Sequence, residues 1–322
     1  IENIKKRSDD NFEILKVVKQ RTDDLYLSIQ DTDLHHIKVE LKNIEHSKDL
    51  MKMDLKSNKE VLDGLVKEHE QIKKVKSLMK NKTILVAFSG GLDSTLVAFF
   101  AKIFAKKVCA ITIQTEATPS IEIDNAENIA ESLAIPHEII DVKLEEMDRV
   151  QKNEEDRCYY CKKQILSRLV EYTKKGDCCN KKTYEGITKA SVDLYVEGTN
   201  FSDLSCVRPG LAALEESEFV SPLARAKITK KEVRKLSEHF DLPSKDIPSQ
   251  ACLASRVPFG TFLDKSLLSM IDKAEQSIRS IIGDNNIFLR VRAHKLDNDG
   301  HYLARIELED ELMIIVCGSG KS

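Results

Sequence analysis

Residues 89–94 read Ser-Gly-Gly-Leu-Asp-Ser, residue types whose order suits the binding of an oxyanion. Glycine lets the backbone approach an anion closely because no side chain stands in the way. The apolar run Ile84-Leu85-Val86-Ala87-Phe88 before them suits a buried strand, and Leu96, Val97, Phe99, Phe100 and Phe104 after them recur at near-helical spacing. A strand, a two-glycine turn and a helix start present the first helix amides and the positive end of the helix dipole to one point. Ser89 and Ser94 add hydroxyl donors, and Asp93 offers a hard oxygen ligand for a magnesium ion on bound phosphates. A bare Gly-Gly at such a place is ordinarily only a strand-to-helix turn.

Thiols make up the second chemical set. Cys158-Tyr159-Tyr160-Cys161 is a CxxC, which alone is half a zinc site, a redox pair or part of an iron–sulfur site. A four-cysteine zinc site wants a second close pair, and Cys178-Cys179 is adjacent rather than spaced. A thioredoxin-like pair belongs after the first strand of its sheet, whereas this one follows a later strand. A third thiol, Cys252, lies in Pro248-Ser249-Gln250-Ala251-Cys252-Leu253-Ala254-Ser255-Arg256. Three thiolates can hold three irons of a cubane cluster and leave the fourth open to an external sulfide. Cys109 reads as core packing in a strand, and Cys178, Cys179, Cys206 and Cys317 as ordinary thiols.

Composition bounds the rest. With 322 residues the chain is long enough for two domains and a large core. A net charge of -3 and a pI near 6.3 argue against a broad non-specific nucleic-acid surface. No apolar run approaches the roughly 18 to 20 residues of a membrane span, and the first residues do not lead into a signal-peptide core. The expectation is a soluble, cytoplasmic protein, whose eight cysteines read as metal, redox or catalytic thiols before disulfides.

The elements that must position these groups follow from periodicity. Residues 1–80 contain no proline and one glycine, Gly64, and are rich in charge. Phe12, Leu15, Val18, Leu25, Ile29, Ile37, Leu41 and Ile44 recur at loose three-to-four spacing, which predicts a helical extension, as a hairpin or as an oligomerisation or partner segment. From 81 to 250 strand and helix alternate. Strands are expected at 83–88, 108–113, 137–141 and 193–198, and helices at 94–106, 122–133, 159–173 and 229–240. Such alternation predicts an α/β fold with a parallel sheet, its ligand beyond the carboxyl ends of the strands. Pro243, Pro248 and Pro258 punctuate a linker carrying Cys252. A helix at 264–282 and strands at 287–293 and 302–309 then predict a small α+β domain over 251–317 with a hairpin. Residues 318–322, Gly-Ser-Gly-Lys-Ser, echo a phosphate-loop ending, but Ile315 stands where a glycine is needed. They read as a tail, and with the missing initiator Met they suggest that the ends are not native.

The hexapeptide resembles the pyrophosphatase loop of the N-type ATP pyrophosphatases (the PP-loop superfamily), which split ATP to AMP and pyrophosphate. Later segments sharpen the resemblance. Arg157-Cys158-Tyr159-Tyr160-Cys161-Lys162-Lys163, Glu197-Gly198-Thr199-Asn200, Arg208-Pro209-Gly210 and Ser221-Pro222-Leu223 follow in order. So do Thr229-Lys230-Lys231-Glu232-Val233-Arg234, Ala251-Cys252-Leu253-Ala254-Ser255-Arg256, Arg290-Val291-Arg292 and Ala304-Arg305-Ile306-Glu307. Over about residues 81–310 the ordered set resembles the LarE family of ATP-dependent sulfur transferases. The helical segment 1–80 lies outside it, and the Gly-Tyr-Arg-containing end usual in the family is missing after Glu307.

The resemblance implies a PP-loop ATP pyrophosphatase domain of adenine nucleotide alpha-hydrolase type over 81–250. It implies that a carboxylate of pyridinium-3,5-biscarboxylic acid mononucleotide is adenylated and receives sulfur, giving the thiocarboxylate used to build a nickel-pincer cofactor. Having Cys158 and Cys161 as well as Cys252, the chain resembles the members that hold a [4Fe-4S] cluster with sulfide on its open iron, rather than those that sacrifice the sulfur of one cysteine. Ser89, Gly90, Gly91, Asp93, Ser94, Gly198 and Thr199 would bind ATP with Mg2+. Cys252 and Asp93 would be catalytic, with Cys158, Cys161 and Cys252 as metal ligands. Asp203, Arg208, Arg256, Arg290, Arg292 and Glu307 would contact the mononucleotide, arginine suiting its phosphate through bidentate, charge-assisted bonds. Arg290 and Arg292 alternatively form one solvated strand face, being two apart, and Glu275 reads as surface charge. The sulfur would come from sulfide or from a cysteine-derived donor, with no nucleic acid or membrane as partner. A tRNA thiolase or an ammonia-using amide ligase of the same superfamily is the rival reading, and a scaffold built on 1–80 the non-enzymatic one.

Overall fold

The computed structural model describes residues 16–17, 20, 34–174, 192–205, 209–248, 250–284, 287–296, 301–309 and 312. Arg208, the cysteines at 178, 179, 206 and 317, the tail 318–322 and most of residues 1–33 lie outside them. The chain divides into two compact units, Ile1–Lys73 and Lys74–Ser322. The first consists, among its described residues, mainly of helix α1, which spans Leu34–Met79 and ends inside the second unit. Along α1, Leu50, Met53 and Val61 are exposed. At its end Val75 and Met79 are buried, and Asn81, at φ 62°, turns the chain into the first strand.

Five parallel strands form the centre of the second unit: β1 Thr83–Ala87, β2 Lys107–Gln114, β3 His137–Asp141, β4 Leu194–Val196 and β5 Phe219–Val220. Their spatial order is β3-β2-β1-β4-β5. β1 pairs with β2 through Leu85↔Cys109 and with β4 through Leu85↔Tyr195. Successive residues face opposite sides of a sheet, and both sides are covered here. Leu85, Ile111 and Tyr195 pack against Leu166 and Leu169 of helix α5 (Arg157–Lys174). Leu96, Val97 and Phe100 of helix α2 (Leu92–Phe104) are buried on the helix that follows β1. A sheet buried on both faces explains why its strands read as continuous apolar runs.

The order reverses between β1 and β4, so the chain leaving each opens a crevice at the carboxyl end of the sheet. Residues 89–94 leave β1 there, and residues 197–200 leave β4. The strand expected at 193–198 is confined to its apolar run, Leu194–Val196, because Glu197 onward turns away to cover the start of α2. β5 is two residues long and has no period to detect; it was not expected, nor were the short helices α6 (Pro209–Glu215) and α7 (Pro222–Arg225). The remaining helices of this part are α3 (Ser120–Ser132), α4 (Asp148–Gln151) and α8 (Lys230–His239).

After α8 the chain is not the loose linker that its prolines suggest: Leu253, Ala254, Arg256 and Val257 are buried. Helix α9 (Lys265–Ile282) starts at Asp264, whose carboxylate accepts from the Leu267 amide at 2.9 Å, and ends at Gly283 in the left-handed region, φ 78°. An antiparallel hairpin follows, β6 (Leu289–Lys295) with β7 (Tyr302–Leu308). Leu253, Leu263, Leu268 and Ala293 of this region share one apolar cluster with Leu144 and Met147 from beyond β3. Cys109 is fully buried in β2, as a core residue should be, but is disulfide-bonded rather than a thiol.

Gly90 combines φ 68° with a space in which an added Cβ would lie 2.8 Å from the Ala126 backbone of α3. Gly260, at φ 78°, has nothing within 4 Å of the same position. Gly260→Ala is expected to cost about 1 kcal/mol, the strain of the backbone alone. Gly90→Ala is expected to cost about 3 kcal/mol, strain plus overlap. Thermal denaturation of the two variants checks this, and equal losses would mean that the Gly90–Ala126 approach is not tight.

Candidate functional site

The turn between β1 and α2 is built by its own hydroxyls. Ser94 Oγ donates to the Gly91 carbonyl at 3.0 Å and accepts from the Ser89 amide at 3.3 Å, while the Ser89 and Ser94 hydroxyls lie 3.1 Å apart. Gly91 caps α2 without a side-chain hydrogen bond, so the amides of the first turn face the crevice. Gly198 packs on that turn: a Cβ there would meet the Ser94 nitrogen at 2.9 Å. Only glycine lets the strand-β4 loop lie across the start of α2.

Charged groups around this turn are paired. Asp93 Oδ2 takes the Lys230 ammonium at 2.6 Å, and Oδ1 accepts from Asn200 Nδ2 at 3.3 Å. Lys230 reaches Asp93 because a capping box fixes the start of α8: the Glu232 amide donates to Thr229 Oγ1 at 3.3 Å, and the Thr229 amide to the Glu232 carboxylate at 2.8 Å. Asn200 also donates to Asp203 at 2.7 Å. Glu197 is buried and accepts from Lys162 Nζ at 2.8 Å, the Thr199 amide at 2.9 Å, the Thr199 hydroxyl at 2.8 Å and the Ser221 hydroxyl. Burial pushes its carboxyl up, but the Lys162 charge and these hydrogen bonds outweigh burial and hold it below the usual range.

Two cavities flank the turn. One of about 410 Å³ joins Ser89, Gly91, Asp93 and Ser94 to the apolar side chains of Ile111, Ile113, Ile165 and Leu169, with Lys162, Glu197 and Thr199 at its side. Its apolar part suits a flat heterocycle and its amide-rich part an anion. The other, about 370 Å³, adjoins Gly90 and Asp93 and carries the cations Lys230, Arg234 and Lys245. Glu122, in the first turn of α3, lines both. Burial pushes its carboxyl up to about 7, against the opposing pull of Arg256.

Cys158 and Cys161 occupy the first turn of α5, and Cys252 precedes the short turn Leu253–Arg256. All three are free thiols; Cys158 and Cys252 are exposed. Burial pushes the Cys161 thiol up to about 12, with Cys252 and Cys158 adding to the shift, so the three sulfurs share one electrostatic neighbourhood. Cys252, though open to solvent at its surface, is also raised by desolvation from the protein packed around it, which the Arg157 charge opposes. Two arginines fix this neighbourhood. Arg157 is buried, donates to the Ala254 carbonyl at 2.9 Å and to Asn153, and lies 4.8 Å over the Phe259 ring. Arg256 is fully enclosed, its Nε 2.8 Å and NH2 3.2 Å from the two Glu275 oxygens, its NH1 2.6 Å from the Ala251 carbonyl.

The arginines expected to meet substrate therefore divide. Arg256 is corrected: with its guanidinium spent on Glu275, Ala251 and Ser255, it holds the Cys252 turn rather than facing a ligand. Glu275, expected as surface charge, is buried beneath it and also accepts from the Val291 amide at 2.9 Å. Arg292 donates to the Ser255 carbonyl at 2.8 Å and to Glu307 at 2.7 Å, so both lie beside the Cys252 turn. The Arg292 and Arg305 hydrogen bonds hold the Glu307 carboxyl below its usual range. Arg290 lies over Phe288, 4.8 Å from its centroid, and Asp203 lines the larger cavity.

Glu122, Lys162, Glu197, Asn200 and Lys230 were not assigned roles from sequence. Lys230 had a detectable signal, a Thr-x-x-Glu capping box that fixes a helix start. Lys162 and Glu197 stood in motifs without a hint that they pair across 35 residues.

A family model described as queuosine biosynthesis protein QueC matches residues 83–156, the part from β1 to just before the CxxC. An uncharacterised protein of Synechocystis sp. is 33% identical over 228 residues, covering 70% of this chain and 76% of that protein. One of Methanocaldococcus jannaschii is 31% identical over 242 residues, covering 75% and 84%. The pyridinium-3,5-bisthiocarboxylic acid mononucleotide synthase of Lactiplantibacillus plantarum is 31% identical over 238 residues, covering 73% and 78%.

A carboxyl held low in the folded state stabilises the fold above its unfolded pKa, about 4.3 for glutamate. That stability is lost as the pH falls through the lower folded value. Urea unfolding between pH 3 and 6 should therefore show stability falling on acidification in the wild type and a flatter dependence in Glu197→Gln. An unchanged slope would mean that the Lys162–Glu197 pair is not what holds the carboxyl down.

Proposed function

From its membership of the LarE family, which the L. plantarum synthase represents, we propose that this chain is an ATP-dependent sulfur transferase acting on pyridinium-3,5-biscarboxylic acid mononucleotide. ATP activates a substrate carboxylate, releasing pyrophosphate, and sulfur then displaces AMP. The observation that carries the reading is the contiguity of the two halves of the site. Lys162 lines the cavity beside the Ser89–Ser94 turn, and its charge acts on Cys161, its neighbour in the sulfur cluster.

The residues divide the work. The adenine base lies between Ile111, Ile113 and Leu169, and the α-phosphate at the α2 amides with Ser89 and Ser94. Those donors are fixed before charge develops, so stabilising it costs little reorganisation. Lys230, Arg234 and Lys245 receive the pyrophosphate. Asp93, its two oxygens oriented by Asn200 and Lys230, is the hard-oxygen ligand suited to magnesium. Arg292 and Glu307, beside the Cys252 turn, orient the mononucleotide, with Arg290 on the same strand face.

Cys158, Cys161 and Cys252 fit an iron–sulfur cluster by donor type and by their mutual electrostatic effect. Among the described residues no three Cys, His, Asp or Glu side chains already stand as a metal-ligand group, so loading would draw the thiols together. When bound, a [4Fe-4S] cluster with three protein ligands supplies an open iron position for the incoming sulfur. Arg157 and Lys162, which favour the thiolate at Cys161, offset the negative charge that loading gathers.

Asp93→Asn should lower kcat/KM for pyrophosphate release about 100-fold, some 3 kcal/mol of transition-state stabilisation. Cys252→Ala should abolish thiocarboxylate formation while pyrophosphate release persists, followed by mass spectrometry of the product. Anaerobic iron and sulfide analysis should give about four irons per chain, lost on changing Cys158. Pyrophosphate release that is unaffected by Asp93→Asn, or a thiolated product from Cys252→Ala, would sink the reading.

A further inference from the structure

One carboxyl in the site has no task in the scheme above. Glu122 lies one helical turn before Ala126, the residue whose backbone touches Gly90, so on α3 the two share the face that looks onto the Ser89–Ser94 turn. It borders both the cavity of the heterocycle and that of the cations. On its other side it acts electrostatically on Cys252. Most of the other acids of the crevice are committed: Asp93 to Lys230 and Asn200, Glu197 to Lys162, Thr199 and Ser221, Asp203 to Asn200; Asp246 borders only the cation cavity. Among the described residues the Glu122 carboxyl has neither a hydrogen-bond nor an ion-pair partner, and the charge of Arg256 is felt without contact.

Resting on the sulfur-transfer reading, we propose that Glu122 is the acid–base catalytic residue of the sulfur step. Hydrosulfide adds to the adenylated carboxyl carbon, forming the C–S bond. The C–O bond to the phosphorus-linked oxygen breaks, and its electron pair leaves with AMP. The remaining S–H proton passes to the Glu122 carboxylate and from there to water; nothing is oxidised or reduced. A carboxyl poised near neutrality is matched to this, since it is a far better base than an ordinary glutamate yet is still ionised in a useful fraction. Burial and the Arg256 charge set its titration, and the titratable and charged groups that share its cavities are Asp93 from α2, Lys162 from α5, Glu197 and Asp203 after β4, and Lys230 and Arg234 from α8. Lys245 and Asp246 complete that set, and Cys252 and Arg256 interact with Glu122 electrostatically.

The test is the pH dependence of thiocarboxylate formation with sulfide as donor, in the wild type, Glu122→Gln and Glu122→Asp. The wild-type rate should rise with pH through about 7, as one carboxyl loses its proton. Glu122→Gln should be about 100-fold slower at pH 8 and lose that rise, within the range of general-base effects; Glu122→Asp should keep the rise at a reduced rate. Carbon-13 NMR of glutamate-labelled protein supplies a readout besides activity: one carboxyl should titrate near 7 in the wild type and be missing from Glu122→Gln. A Glu122→Gln profile superimposable on the wild type, or no such carboxyl signal, overturns the proposal while leaving sulfur transfer intact. A wild type that forms no thiocarboxylate from the adenylated mononucleotide overturns the functional reading itself.

Discussion

Everything at the crevice depends on backbone meeting backbone without side chains between. Gly90 sits against Ala126 of α3, and Gly198 against the Ser94 nitrogen at the start of α2. These approaches bring three elements, the β1 turn, the β4 loop and the start of α3, to one point. A methyl group at either glycine would separate them by more than hydrogen bonds tolerate. From that packing follow the reach of Asn200 to Asp93, the position of Glu122 over the turn, and the two cavities on either side. The hydroxyls of Ser89 and Ser94 then hold the turn in shape.

The sulfur side rests on a different kind of restraint. Arg157 and Arg256 are both buried, and each ends on backbone carbonyls of residues 251–254. A buried guanidinium is costly unless its donors find partners, and here part of that partnering comes from the segment that must be positioned, Arg157 Nε remaining without a hydrogen bond. Glu275 completes the arrangement by joining Arg256 to the Val291 amide, so the Cys252 turn, α9 and β6 are tied through one carboxylate. Breaking such a buried pair by removing one partner costs about 3–5 kcal/mol, and the damage would spread to all three elements.

Much of this was legible in the sequence, and what was not has physical reasons. The alternation of apolar runs and helical periods disclosed the parallel sheet, because strands buried on both faces are compositionally distinct. Ser89–Ser94 was conspicuous because its chemistry is local. Arg256 was misjudged because a sequence shows that an arginine is present but not whether water or Glu275, 19 residues on, receives it. Glu275 was misjudged for the same reason from the other side. Glu122 carried no motif at all. Its significance comes from α3 lying against Gly90, a long-range fact that the four-residue spacing of Glu122 and Ala126 expresses only once Gly90's neighbour is known. β5, α6 and α7 are too short to show a period.

The way the Cys252 turn is held has a bearing on how the protein is assembled. Its position is set by arginine side chains, by the Leu253 amide on the Ala117 carbonyl at 2.8 Å and by a shared apolar cluster that includes Met147 and borders Cys161, none of which calls on the thiols of Cys158 or Cys252. The polypeptide can thus complete its fold with all three thiols still free, so that whatever they bind meets a finished scaffold.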